Sequence, residues 1–347
     1  MKKIFYTLLA AAVLVSCAKE AETGKSELAK KALDEYMAKY HPTAVKTELG
    51  VYIFPEYEAA GTGAPVGDSL YIRFDYTILD RDGNISSSTL EPVNRQIENY
   101  SERNYYGPRI AYRGDDNLSV GVEEMLLGSG TAFGPLKVGG TRRALIPGWL
   151  TGNTRYKSEA DYVAKVSGTE TVYEITLADV FNDEETWEKD SVARYVAANL
   201  PGAEEDVSIT GINGTGGWYY LRTGAPISED GFTSDSTIYC NYTLSMLNGK
   251  VLDTSIEQVA QDNDLWSSSA TYEPKLINWN EDYTKITMTS SDTDVVDGFA
   301  NAFLHMHQYE SGTVVFWSYL GYYISGSGNT IPAYCPLRFD IDIVKQP

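Results

Sequence analysis

Between residues 28 and 40 apolar side chains recur at Leu28, Ala32, Leu33, Tyr36, Met37 and Tyr40, the spacing of one helical face. Ser26 is placed to cap that helix. A second stretch, Trp187 to Leu200, puts Val192, Tyr195, Val196 and Leu200 on one face. Aligned without gaps, Tyr36 meets Tyr195 and the terminating Pro42 meets Pro201. Each helix leads into a short aromatic strand, Val51-Tyr52-Ile53-Phe54 or Trp218-Tyr219-Tyr220-Leu221, and then into Thr-Gly-Ala-Pro, at Thr62 to Pro65 and again at Thr223 to Pro226, which predicts a turn. Ser69 to Thr77 and Ser236 to Thr243 alternate as half-buried strands do, and Asp82-Gly83 and Asn248-Gly249 are favoured hairpin pairs. Short helices are predicted at Val120 to Leu127 and Val295 to His305, strands after them at Gly140-Thr141 and Gly312-Thr313, and closing strands at Thr171 to Val180 and Leu337 to Val344. Tyr173 and Phe339 fall at matching places in the closing strands. Duplication of a β-rich domain, each copy with its own leading helix, accounts for this order.

The start of the chain has a different pattern. Lys2 and Lys3 precede an apolar run from Ile4 to Val15 broken only by Thr7, the layout of a secretory signal and too short to span a bilayer. Leu14-Val15-Ser16-Cys17 resembles the lipobox of bacterial lipoproteins, which implies that residues 1–17 are signal and lipobox, that Cys17 is the lipidation site, and that 18–25 form a tether. A plain signal peptide with an incidental cysteine is the alternative. Ala18-Lys19-Glu20 resembles a surface-export tag. The expectation is a lipid-anchored protein of the cell envelope, at the outer membrane on its periplasmic or surface face. No later stretch is apolar for long enough to cross, so the lipid is the only membrane attachment expected.

Composition narrows the partners. A formal charge of −20 over 347 residues repels nucleic acid and anionic headgroups. Beyond Cys17 only Cys240 and Cys335 remain, enough for one bridge or for two buried thiols. Tyrosine is abundant, 26 residues, which suits strands and recognition surfaces. No Ser, His and Asp signature, phosphate loop or Cys-x-x-Cys pair occurs. His305 and His307 are two apart and do not share a helical face, and Asp282, Asp292, Asp294 and Asp297 lack the spacing of a Ca²⁺ loop. No metal and no cofactor is expected.

The order of strand, Tyr-Thr strand, Asp-Gly turn, short helix, Val-Gly-Gly strand and terminal Phe-Asp strand resembles the FKBP-type peptidyl-prolyl isomerases. In the first copy the resemblance rests on Lys137-Val138-Gly139-Gly140-Thr141-Arg142-Arg143-Ala144-Leu145-Ile146-Pro147. In the second it rests on Tyr242-Thr243, Asn248-Gly249, Leu252-Asp253-Thr254-Ser255 and Ile331-Pro332 through Leu337-Arg338-Phe339-Asp340-Ile341. It implies an α+β chain of two tandem FKBP-like domains, 26–182 and 187–347, each an antiparallel sheet wrapped around a short α-helix and each preceded by an additional helix.

For the second copy the resemblance implies an aromatic cup with Tyr242 and Phe339 as walls, Leu252 in place of a wall Phe, and Asp253 as its carboxylate. Val295 and Val296 line the helix entrance, with the Val296 N–H as carbonyl donor, Phe299 is a floor in place of Trp, and Tyr322 or Tyr323 supplies a hydroxyl. Read as residues alone, Tyr242, Phe339 and the valine pair suit a core equally well, and Asp253 suits a turn. In the first copy Ser86 and Ser87 stand where Leu252 and Asp253 do, Val122 falls at the floor, and Ile146 to Gly152 holds no tyrosine, which implies a non-catalytic module. The expected function is isomerisation of X-Pro segments of exported proteins, or help in their folding, through the second domain. The alternative is a non-catalytic binding lipoprotein meeting a protein or glycan partner through an aromatic loop bearing Trp266, Tyr272, Trp279 and Tyr283.

Overall fold

The computed structural model describes residues 27–113, 118–209, 216–234, 236–288 and 293–347. The expected signal (1–17, with Cys17), the expected tether (18–25), Ser26 and Asp292 lie outside them. The chain divides at Asn182/Asp183 into two units, with Tyr100–Tyr105 grouped with the second. Among the described residues no helix is long and apolar enough to cross a membrane.

Unit one runs α1 (27–40), β1 (Val45–Lys46), β2 (Tyr52–Ile53), β3 (Tyr71–Leu79), β4 (Ile85–Ser88), α2 (Glu91–Gln96), β5 (Arg109–Tyr112), α3 (Val120–Leu127), β6 (Thr141–Ile146), α4 (Glu159–Lys165) and β7 (Thr171–Phe181). Unit two runs α5 (Glu184–Asn199), β8 (Glu204–Glu205), β9 (Trp218–Gly224), β10 (Thr237–Met246), β11 (Val251–Thr254), α6 (Glu257–Asp262), β12 (Lys275–Asn278), β13 (Thr287–Met288), β14 (Thr293–Asp294), α7 (Asp297–His305), β15 (Ser311–Phe316) and β16 (Leu337–Val344).

The sheet orders agree over seven strands, and in unit two β13 and β14 continue outward from β12. In unit one the strands lie β1-β2-β6-β7-β3, with β4 and β5 both on β3; in unit two they lie β8-β9-β15-β16-β10, with β11 and β12 both on β10. Every pairing is antiparallel. The duplication reaches single hydrogen bonds. The Tyr76 N–H donates to Thr89 Oγ1 at 3.0 Å, and the Tyr242 N–H to Ser255 Oγ at 3.0 Å. Both hairpins turn on a glycine with positive φ, 88° at Gly83 and 89° at Gly249, where a side chain would be strained.

Each sheet wraps one short helix, and a glycine sets the approach. A Cβ at Gly298 would stand 2.4 Å from the Phe316 ring of β15; one at Gly121 would stand 2.2 Å from Ile146 Cγ2 of β6. The helices therefore lie closer to the sheet than any side chain at these positions permits. The first leading helix buries less than its pattern predicts, while the second buries its predicted face. In α1 only Leu33 and Met37 are buried, while Leu28 and Tyr40 are exposed; α5 buries the matching Val192 and Val196. In α1 the (i, i+4) pair seats the helix and Leu28 and Tyr40 stay in solvent, whereas α5 also buries Glu188 and, at its end, Leu200. The helix α5 also begins three residues before the predicted Trp187, because Asp183 caps it by accepting the Thr186 N–H at 3.2 Å.

Candidate functional site

The candidate site lies in unit two over the start of α7. Period-two alternation sends Tyr242 and Leu244 of β10 to one face, and the register sets Phe339 of β16 opposite Leu244 and Ile341 opposite Tyr242. Phe299, one turn into α7, meets them: its ring centroid lies 4.6 Å from Phe339 and 5.8 Å from Tyr242, the latter edge-on. Phe303 closes on Phe299 from below at 5.0 Å, and Phe316 stacks on Phe339 at 5.9 Å. These rings are locked by neighbours, so the cup is preformed.

The rings floor and wall a cavity of about 410 Å³. Tyr242, Leu244, Asp253, Phe299 and Phe339 line it from the sheet and helix, Met288, Val295, Val296 and Asp297 from the segment entering α7, and Gly321 and Tyr322 from the loop after β15. The Tyr242 hydroxyl donates to Asp253 Oδ2 at 2.5 Å. Burial, then the adjacent Asp253 carboxylate, raises the Tyr242 hydroxyl above the usual phenol range, and the same two causes raise Tyr322. Both phenols are therefore neutral donors at physiological pH.

The entrance to α7 is the second element. Val296 is its N-cap, at φ −65° and ψ 142°, with no side-chain cap. Among the described residues the Val296 N–H has no hydrogen-bond acceptor. A helix start of this kind presents donors and a positive dipole end to whatever enters the cavity. The start of α3 in unit one differs in having a side-chain cap, Ser119 Oγ accepting the Val122 N–H at 3.3 Å, and in the Val120 N–H, which donates to the Gly152 carbonyl at 3.0 Å.

Of the residues the sequence singled out, the structure brings together Tyr242, Asp253, Val295, Val296, Phe299, Tyr322 and Phe339. Two lie elsewhere. Leu252 is the extra residue of a bulge, since Leu244 pairs with Asp253 and Ser245 with Val251; it packs half-buried on the core outside the cavity lining, and Leu244 takes the wall. Ser86 is the equivalent bulge residue of unit one, and Ser87 pairs with Ile78 as Asp253 does with Leu244. Tyr323 has φ 40°, and its hydroxyl donates to Glu184 Oε1 of α5 at 2.6 Å, which settles the choice between the tyrosines in favour of Tyr322 at the cavity. Leu244 was open to detection, being two residues from Tyr242 on one strand. Met288 comes from the two-residue strand β13 and Gly321 from the loop after β15, and neither left a signal in the pattern.

Other expectations change too. Trp279 is not a displayed recognition residue: its indole N–H donates to the Phe303 carbonyl at 3.0 Å and the side chain is half-buried. Trp218 does the same for the Gly298 carbonyl at 2.8 Å, so two tryptophans hold α7 at its two ends. Tyr283 packs on the core and Tyr272 accepts the Ser267 N–H at 2.9 Å, leaving Trp266 as the exposed ring of that loop. Cys240 and Cys335 are both free and buried, and burial pushes both thiols up to about 12. The two histidines separate, His305 to Asp206 at 3.1 Å and His307 to Glu310 at 2.7 Å. Among the described residues no group of three side chains is placed to hold a metal.

An antiparallel sheet curled around one short helix is an FKBP-like fold, and the chain contains it twice in tandem, with the aromatic cup at the helix start in unit two. No protein-family model matches the sequence, and no curated protein does. Among solved structures the chain is similar to the three FKBP domains of wheat FKBP73, at 10% identity over 85% of this chain and 94% of that one, with a TM-score of 0.29. It is similar to a peptidyl-prolyl cis-trans isomerase from Pseudomonas syringae, at 16% identity over 47% of this chain and 96% of that one, TM-score 0.30, and to FkpA from Escherichia coli, at 18% over 47% and 59%, TM-score 0.31. Strand order and register, rather than these values, define the fold.

Proposed function

We propose that unit two binds X-Pro segments of exported proteins and catalyses their cis/trans isomerisation, and that unit one is a non-catalytic companion. The single observation behind this reading is the ring-floored cavity lined by Val296, whose N–H has no acceptor among the described residues. The isomerisation barrier comes from amide resonance, ~18–20 kcal/mol for an ordinary peptide bond. Twisting the bond cancels the charge separation of the planar amide, so an apolar, water-poor surface favours the twisted form over the ground state. No nucleophile, metal or proton transfer is needed. Phe299 would carry the proline ring, Tyr242, Leu244 and Phe339 would exclude water, and the Val296 N–H would hold a substrate carbonyl. Asp253 would fix the Tyr242 ring through its hydroxyl, and Tyr322 would offer a further donor.

The setting belongs to the same proposal: a chain anchored by lipid on Cys17 at the outer membrane, meeting clients as they emerge unfolded. Globomycin-sensitive processing and incorporation of labelled palmitate, both lost in Cys17→Ala, would test it; an unlabelled, soluble wild-type product would refute it.

The test of chemistry is NMR exchange spectroscopy on X-Pro peptides with the chain present. Acceleration that falls in Phe299→Leu and Val296→Pro supports the enzyme. Peptide binding with no acceleration assigns the site to the non-catalytic alternative, a holder of protein partners.

A further inference from the structure

Building on the reading of unit two as an X-Pro site, we propose that it selects segments with a lysine or arginine next to the proline, held by the Asp297 carboxylate. The cavity lining contains two charged side chains, Asp253 and Asp297, and no Lys, Arg or His. Their situations differ. Asp253 is internally satisfied, taking the Tyr242 hydroxyl on one oxygen and the Thr254 N–H on the other at 2.9 Å. Asp297 is half-buried, and no described residue gives its carboxylate a hydrogen bond or an ion pair. Burial, with nothing to counter it, holds that carboxyl above the usual aspartate range. A carboxylate desolvated without a partner is a standing cost to the free protein.

An incoming cation removes that cost. Asp297 directly follows Val296, so a peptide carbonyl docked on the Val296 N–H sets the next side chain of the peptide beside the carboxylate. A lysine or arginine stem can lie along Val295 and Met288 with its charged head at Asp297. Acidic segments meet two like charges there. Unit one provides the internal contrast: aligning Gly121 with Gly298 puts buried Val120 at the position of Asp297, so no such selection is built there.

The experiment compares peptides of the form Ala-X-Pro-Y, with Lys, Leu or Glu at X or at Y, for both binding by amide shift titration and isomer exchange. It uses the wild-type chain, Asp297→Asn and Asp297→Glu. The proposal expects Lys at one of the two positions to bind ~10-fold tighter than Leu, Glu to bind weakest, and the Lys advantage to shrink with added salt. Asp297→Asn should bring the Lys/Leu ratio below about two-fold, and Asp297→Glu should restore most of it. The Asp297 carboxyl carbon should titrate at lower pH once the Lys peptide is bound. Equal binding of all three peptides, or a Lys preference that survives Asp297→Asn, overturns this inference while leaving the X-Pro reading in place. Failure of every prolyl peptide to bind overturns both.

Discussion

Units one and two share a sheet order, a bulge, a hairpin glycine and a helix glycine, yet the space over the short helix differs between them. In unit two a cavity opens between Phe299, Phe339 and an uncapped α7. In unit one the floor residue is Val122, Ser87 replaces the carboxylate, and the start of α3 is satisfied by Ser119 and Gly152. The contrast reverses behind the helix. Arg142 of unit one is buried, pairs with both oxygens of Glu58, and donates to the Met125 carbonyl of α3 at 2.7 Å. Gly312 is its counterpart in register, and there the Tyr220 ring covers the glycine while its hydroxyl donates to buried Glu310. The leading helices differ as well. Glu188 of α5 is buried and accepts the Ser318 N–H at 2.5 Å and its hydroxyl at 2.8 Å; the matching Ala29 and Gly148 of unit one instead line a cavity of about 320 Å³. The lesson is that backbone register and two glycines keep the fold, while a handful of side chains decide whether its cup stays open.

Removing Arg142 should break the contrast most severely. Arg142→Ala strands Glu58 and two helix carbonyls, and unit one should lose about 3–5 kcal/mol in denaturant unfolding while the unit-two transition stays in place. A single transition shifted as a whole would show that the units are not independent at this site.

Glu188 gives the next effect, and its sign is opposite to that of a salt-bridged acid. Burial, only partly offset by its bonds from Ser318, raises the Glu188 carboxyl to about 7 from an ordinary 4.5. Below pH 4.5 it is protonated folded and unfolded alike. Between there and pH 7 the unfolded chain ionises first, so unit two should lose on the order of 3 kcal/mol as pH rises. Glu188→Gln should flatten that slope in urea melts at pH 5 and pH 8, and unit one, with Ala29, should show no such slope from this position.

Val296 already has the φ of proline, so Val296→Pro removes its N–H with little backbone change. Exchange catalysis should fall by about 10-fold, the worth of one hydrogen bond in the transition state. Unchanged catalysis would remove the carbonyl-donor role. The smallest expected change comes from swapping caps. Ser119→Val should cost unit one about 1 kcal/mol, and Val296→Ser should stabilise unit two by up to about 1 kcal/mol while lowering its activity. An activity gain would contradict the view that the open helix start serves the site.

Much of this was legible in the chain. The repeat fixed the order of elements, the Asp-Gly and Asn-Gly turns, the equivalence of Tyr76 with Tyr242, and that of Ser87 with Asp253. Most of the cup was visible for the same reason, because strand alternation and the helix step from Val296 to Phe299 are local properties. What stayed hidden depended on tertiary placement. The bulge turns Leu252 aside, a left-handed residue takes Tyr323 to α5, and the indole of Trp279 is drawn inward to a helix carbonyl. Asp297 left no mark beyond being one of four acids without a Ca²⁺ spacing, because its partial burial in the cavity is a property of the folded chain.

The most direct test is a search for intermolecular NOEs between an X-Pro peptide and the protein. The account predicts contacts from the prolyl ring protons to the rings of Phe299, Tyr242 and Phe339, with a downfield shift of the Val296 amide proton. A proline that contacts other surfaces, or leaves these rings and that amide unperturbed at saturating peptide, would contradict it.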